Sequence, residues 1–264
     1  LFFTATSLED MHEAVAWARS TKTQFLVIGH GSNCLFPDEG IEGLVIHNKI
    51  DHIHIDQHHL TAGAGSSFAK AAVMSATAHL SGIEFGAGIP GTIGGAVIMN
   101  AGAQGQTTSD CLAYVTYLDQ SGQKIRASKE SLSFGYRTSS LRQEGAIILE
   151  AQFVLTPDET TSHRQKALLA TRTSKQPPGR SVGSVYKNPP NDFAGRLIES
   201  CGLKGFSVGG ACVSPLHANF IINTGNATAK DVLTLMELIE RTVFEKFMLV
   251  LEREVCVLPG RKTL

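Results

Sequence analysis

One stretch limits what this chain can fold into more than any other. Residues Gly86 to Gly105 read Gly-Ala-Gly-Ile-Pro-Gly-Thr-Ile-Gly-Gly-Ala-Val-Ile-Met-Asn-Ala-Gly-Ala-Gln-Gly. Glycine loses more conformational entropy on folding than any other residue, so it is used where φ must be positive or the backbone must lie close against something. The seven glycines of this stretch are therefore expected not to serve as packing residues. Pro90 fixes the backbone ahead of Gly94-Gly95, which opens into an apolar run. The arrangement suits a bed of backbone N–H groups under a phosphate or a flat heterocycle. Its rival is a buried turn in a sheet-rich core.

A second glycine loop follows the strand expected at 24–28. It reads Gly29-His-Gly-Ser-Asn-Cys-Leu35. A dinucleotide fingerprint would need a third glycine where Cys34 stands and a helix where Pro37-Asp38 stands, so a Rossmann reading fails. Small polar residues after a strand can still hold a pyrophosphate through N–H groups and the Ser32 and Asn33 side chains.

Bulk properties exclude several classes. A chain of 264 residues has room for one large domain or two to three small ones. A formal net charge of -1 offers no general attraction for nucleic acid or an anionic membrane. No apolar run approaches the roughly 20 residues of a membrane span. Five scattered cysteines without a C-x-x-C pattern read as small buried hydrophobes in a reducing, cytoplasmic compartment. His52 and His54 alternate with isoleucines and face one side of a strand, with no third metal ligand positioned. The chain opens on Leu1, without Met and without a signal-peptide pattern, so its natural start is expected to lie upstream.

Strands and helices alternate throughout. Ser7 and Asp10 form a capping box for a helix bearing Leu8, Met11, Val15 and Ala18. A helix over 67–80 is expected to turn Phe68, Ala72, Val73 and Ala76 inward. A hairpin spans 111–118 and 124–127, and a strand spans 146–155. After Pro157 come a polar helix to about Lys175, a helix over 192–201 and a strand over 217–223. A long helix capped by Thr228 carries Val232, Leu235, Met236, Ile239, Val243 and Phe247 inward. A last strand is expected over 250–258. The class is α+β or α/β.

The ordered motifs resemble the UDP-N-acetylenolpyruvoylglucosamine reductase family. They are Gly-x-Gly-Ser-Asn-x-Leu at 29–35, Gly-Ile-Pro-Gly-x-x-Gly-Gly at 88–95, Asn-Ala-Gly at 100–102 and Tyr-Arg-x-Ser at 136–139. Gly-Ser-x-x-Lys-Asn-Pro at 183–189, Gly-Arg-Leu-Ile-Glu-x-x-Gly-Leu-Lys-Gly at 195–205, His-Ala-Asn-Phe at 217–220 and Leu-Glu-x-Glu-Val at 251–255 complete them. The resemblance implies an α+β fold: a two-lobed FAD-binding domain of the vanillyl-alcohol-oxidase type with a smaller α/β substrate-binding domain. The implied layout is 1–156 for FAD (lobes about 1–48 and 49–156), 157–248 for substrate, and a C-terminal strand over 249–264 returning to the active site. The implied activity is NADPH-dependent reduction of UDP-N-acetylglucosamine enolpyruvate to UDP-N-acetylmuramate through FAD, a cytoplasmic step of peptidoglycan synthesis, by a monomer. The short span between Arg137 and Ser184 resembles type II members.

Residue roles follow from the same resemblance. Gly29, Gly31, Ser32, Asn33, Leu35, Ile89, Pro90, Gly91, Gly94, Gly95, Asn100 and Gly102 would hold FAD. Tyr136, Lys187 and Asn188 would hold the UDP-sugar. Arg137, Ser184 and Glu254 would be catalytic: Arg137 at the charge growing on the substrate carboxylate, Ser184 as proton donor, and Glu254 as the family's catalytic glutamate. Read without the family, Arg137 also fits a surface ion pair, Ser184 a turn residue capping Asn188, and Lys187 a solvated loop cation. Glu252 and Glu254 would face the same way on a strand, and the family motif favours Glu254. A flavin oxidase of the same fold, acting on an alcohol or sugar, is the alternative activity; the anion-binding residues Tyr136, Arg137, Lys187 and Asn188 argue against it. A catalytically silent nucleotide-binding module is a third reading.

Overall fold

The computed structural model describes residues 1–260. The described residues divide into two compact units, one comprising residues 1–31 and 43–172 and the other residues 32–42 and 173–260; the end of the C-terminal strand expected over 249–264 lies outside the described residues.

The first unit opens with the strand Phe2–Ala5 and the helix Leu8–Ser20. Ser7 caps that helix, accepting from the Asp10 N–H at 3.0 Å while Asp10 accepts from the Ser7 N–H. Met11, Ala14, Val15 and Ala18 form its buried stripe. The first strand pairs in parallel with Leu44–Asn48, which pairs in parallel with Phe25–Ile28. A five-stranded antiparallel sheet follows, in the order Lys124–Ser128, Leu112–Leu118, Ile147–Val154, His59–Gly63, Ile53–Asp56. Its apolar face packs on the helix Phe68–Thr77 and the short helix Ile93–Ile98. The helix expected over 67–80 is shorter, and Val73 is turned to solvent; Phe68, Ala71, Ala72, Ser75 and Ala76 are the buried face. His79 stops it by taking φ +56°.

The second unit holds the strands Arg180–Ser184, Phe220–Asn223, Ala211–Val213 and Ser207–Val208, paired antiparallel in that order. They pack against the helices Ala194–Ser200 and Ala229–Phe247. In the long helix Leu235, Met236, Ile239 and Val243 are buried, with Val232 and Phe247 packed beside them. Its N-terminus has two caps. Thr228 accepts from Asp231, and the Asp38 carboxylate accepts from the Ala229 N–H at 2.7 Å. That bond, with the parallel pairing of Cys34–Leu35 against Cys256–Val257, ties residues 32–42 into this unit.

Three expectations are corrected. The unit boundary does not fall at 156: Thr156–Pro157 pairs with Leu80–Ser81, and Arg164 reaches Glu84 at 2.8 Å, so the chain to Arg172 stays with the first unit. The expected last strand is strand only at Cys256–Val257, with an isolated bridge between Arg253 and Tyr186. Val185 O accepts from both Glu254 N and Val255 N, and a carbonyl shared by successive donors interrupts the regular ladder. Finally, the five cysteines are partly exposed rather than buried. Burial nonetheless pushes the thiols of Cys111 to about 12 and Cys34 to about 11, with Cys256 adding to the second shift.

Candidate active site

The glycine stretch is a set of close approaches around the helix Ile93–Ile98. Thr92 caps that helix, accepting from the Gly95 N–H at 3.3 Å. A Cβ on Gly29 would lie 2.4 Å from Thr92 Oγ1, so the end of the strand Phe25–Ile28 seats directly on this cap. Gly31 at φ +67° and Gly91 at φ +139° need glycine for their backbone conformation. Pro90 and Gly95 are exposed, while Ile89 is half-buried.

Against expectation, Gly86 and Gly94 serve in packing against apolar side chains. A Cβ on Gly86 would meet the Phe68 ring at 2.7 Å, and one on Gly94 would meet Ala64 Cβ at 3.0 Å. Gly94 is buried, with its N–H on Ala64 O at 2.9 Å. The N–H groups of Gly86, Ile89, Ile93, Gly94 and Gly95 all have protein acceptors, so the expected bed of donors is smaller than the glycine count implies.

Asn100 joins the glycine stretch to Arg137. Buried at φ +43°, it donates to Gly135 O at 3.1 Å and accepts from the Ser109 N–H at 3.0 Å. Arg137, two residues beyond Gly135, takes φ +58° and donates to Gly102 O at 3.1 Å. Its guanidinium lies 5.2 Å from the centre of the Tyr136 ring, itself half exposed. Asn100, Gly102, Tyr136 and Arg137 therefore form one connected group.

In the second unit the backbone of Val185 is the pivot. Ser184 precedes it, beyond a register shift at which Gly183 takes φ +79°. Such an irregularity re-aims the following side chain. Glu254 N donates to Val185 O at 2.8 Å, placing the backbone of Glu254 beside Val185, the residue that follows Ser184. Asn33 Nδ2 donates to Glu254 O at 3.0 Å, so the second glycine loop meets the same segment. Leu35 packs into this unit's core. Lys187 ion-pairs with Glu252, not Glu254, and its N–H donates to Glu252 O at 2.8 Å. Asn188 Oδ1 accepts from the Ala194 N–H at 3.1 Å, satisfying a donor at a helix start. Asn219 clamps Tyr186 through both backbone groups, at 2.9 and 2.8 Å.

Residues 174–258 match the family described as UDP-N-acetylenolpyruvoylglucosamine reductase, C-terminal domain, and residues 1–128 match an FAD binding domain. The UDP-N-acetylenolpyruvoylglucosamine reductase of Chlamydia muridarum is 40% identical over 260 residues, covering 98% of this chain and 88% of the relative. That of Desulforamulus reducens is 43% identical over 263 residues, covering 98% and 87%. The chain belongs to the UDP-N-acetylenolpyruvoylglucosamine reductase family. The crystal structure of the reductase from Thermus caldophilus superposes with a TM-score of 0.83 at 37% identity, covering 97% of this chain and 91% of that one. The fold is thus the family's mixed α+β fold, an FAD-binding domain followed by the reductase C-terminal domain.

The residues present fit FAD. Positive φ at Gly31 and Gly91 lets main chain approach a ligand where a side chain would be strained. Among the described residues, the buried side-chain nitrogen or oxygen without a hydrogen-bond partner is Arg172 Nε, a cationic group suited to an anionic cofactor. Sequence reading within the family motifs passes over Arg172. It stands in the polar run Thr171-Arg-Thr-Ser-Lys175, which looks like a solvated helix face. Of the residues read as catalytic, Arg137 belongs to the first unit and Ser184 and Glu254 to the second.

Proposed function

We propose that this chain reduces UDP-N-acetylglucosamine enolpyruvate to UDP-N-acetylmuramate with NADPH as electron source, as a monomeric, cytoplasmic, type II member of its family. FAD, when bound, would supply the hydride-transfer chemistry that links the nicotinamide to the β-carbon of the enol ether. The first unit would hold that cofactor through Gly29, Gly31, Ile89, Pro90, Gly91, Gly95, Asn100 and Gly102, with Gly94 acting through packing. Ser32, Asn33 and Leu35 would contribute from the second glycine loop.

Arg137 takes the negative charge that builds on the substrate carboxylate, its planar fork presenting two donors to a carboxylate. Ser184 gives its hydroxyl proton to the α-carbon, completing the addition of one hydride and one proton across the double bond. Glu254 stands beside Ser184 to orient the carboxylate's partners or return a proton. Tyr136 and Lys187 bind the UDP moiety, Lys187 exchanging Glu252 for the diphosphate. Asn188 holds the helix start that frames this loop and presents its amide to the same ligand.

The observation that carries the reading is the Val185 pivot, which sets the Glu254 backbone beside the residue next to Ser184 although Glu254 is distant from it in sequence. Stopped-flow measurement of the two half-reactions tests it. Wild type should bleach its flavin with NADPH and recover the colour on addition of the UDP-enolpyruvyl sugar under anaerobic conditions. Recovery with oxygen but not with the sugar would overturn it in favour of an oxidase.

A further inference from the structure

The helix Thr161–Lys175 carries two arginines that the fold treats differently. Arg164 has carboxylates: Glu84 at 2.8 Å and Asp158 at 3.0 Å. Among the described residues no carboxylate pairs with Arg172, and its Nε is buried without a hydrogen-bond partner. Its charged neighbour is another cation, Arg137. Burial first, and Arg137 second, bring the Arg172 guanidinium below its ordinary range. A half-buried cation beside a like charge, with its Nε out of reach of water, is costly unless an anion joins it.

The backbone is shaped to keep Arg172 there. A Cβ on Gly88 would come within 2.4 Å of Arg172 Cδ and 3.3 Å of its Nε. The arginine stem therefore lies across Gly88, and a side chain there would have to displace it. Arg172 thus lies on the loop that opens the Gly-Ile-Pro-Gly motif, beside the arginine assigned to the substrate carboxylate.

We propose that Arg172 is a positioning and electrostatic residue for the flavin ring of FAD. Its charge offsets the negative charge that two-electron reduction leaves on the isoalloxazine ring, so the ring is reduced with one proton rather than two. The inference rests on the FAD reading above but needs neither NADPH nor the UDP-sugar.

The test is the midpoint potential of the FAD-loaded, full-length protein, titrated with dithionite against a reference dye. In wild type the potential should change by about 30 mV per pH unit, the value for one proton per electron pair, also below the pH at which free reduced flavin takes up its second proton. Arg172→Met should favour the oxidised flavin about tenfold, which is about 30 mV more negative for a two-electron couple. Its affinity for oxidised FAD should stay within about threefold of wild type, and Arg172→Lys should recover at least half of the shift.

A wild-type slope of about 59 mV per pH unit overturns the proposal, and this reading stands even if the Met variant does not fold. An unchanged potential in a folded, FAD-loaded Met variant also overturns it. So does a tenfold loss of FAD affinity at unchanged potential, which would move the arginine to the cofactor's diphosphate. A protein that turns over the UDP-sugar with an unshifted potential loses this inference alone. One with the predicted slope and no turnover loses only the substrate assignment.

Discussion

The two units present their functional residues by different means. In the first, a buried side chain does it: the Asn100 amide holds Gly135, and with it the turn bearing Tyr136 and Arg137. In the second, the link between the two candidate residues is main chain, Val185 O taking the Glu254 N–H, while the Asn219 side chain braces the next residue, Tyr186. A side-chain tether can be cut by one substitution, whereas a main-chain pivot survives most of them. The first unit's site should therefore be the more fragile under mutation, and the second unit's the cleaner place to remove one chemical group at a time.

The largest expected effect uses that cleanness. Ser184→Ala leaves the Val185 to Glu254 hydrogen bond intact, so its loss should be confined to proton donation. Reoxidation of the reduced flavin by the UDP-enolpyruvyl sugar should slow about 10²–10⁴-fold while reduction by NADPH stays near wild type. If both half-reactions keep their full rate, Ser184 is not the donor.

Cutting the tether comes next. Asn100→Ala orphans the Ser109 N–H and Gly135 O and should cost about 1–3 kcal/mol in urea unfolding. It should also slow the substrate half-reaction through Arg137. Asn219→Ala should cost similar stability yet less rate, because the Glu254 bond to Val185 remains; a greater loss of rate at Asn219 would reverse the contrast between the units.

An acid titration sharpens the comparison from the side of stability. Burial pushes the fully buried Glu84 carboxyl up, but the Gly82 N–H, Arg164 and Ser81 more than offset this, and it lies below its ordinary 4.5. A lowered native value stabilises the fold above pH 4.5, and that contribution is lost as pH falls through the native value. Glu84→Gln should thus cost about 1–3 kcal/mol at pH 7, toward the lower end because Arg164 is partly exposed, with a smaller difference from wild type in acid. Equal differences at both pH values would refute this linkage.

The smallest effect is expected at the Lys187–Glu252 pair, where Glu252 is largely exposed. Replacing Glu252 by Ala should change unfolding free energy by about 0–1 kcal/mol. Lys187→Ala should raise KM for the UDP-sugar with little change in stability. Unchanged KM would make Lys187 only the partner of Glu252.

Much of the local structure could be read from the chain. Ser7 with Asp10 and Thr228 with Asp231 fix two helix starts through contacts only three residues apart, and the stripe Leu235, Met236, Ile239, Val243 follows from helical period. The eight ordered motifs, taken together, were enough to indicate the FAD-binding reductase family by resemblance. Where sequence reading went astray, the deciding contact came from far along the chain. Phe68 fills the space that makes Gly86 a packing residue, and Ala64 does the same for Gly94.

The sequence by itself determined caps, periodicities and motif order, because these depend on neighbours within a few residues. Only the tertiary structure decided that residues 32–42 join the second unit through Asp38 and the Cys34–Leu35 pairing, that Glu252 takes Lys187, and that Arg172 is left without a carboxylate across Gly88. A side chain's charge is written in the chain, but whether that charge is paired is set by residues that only the fold brings near it.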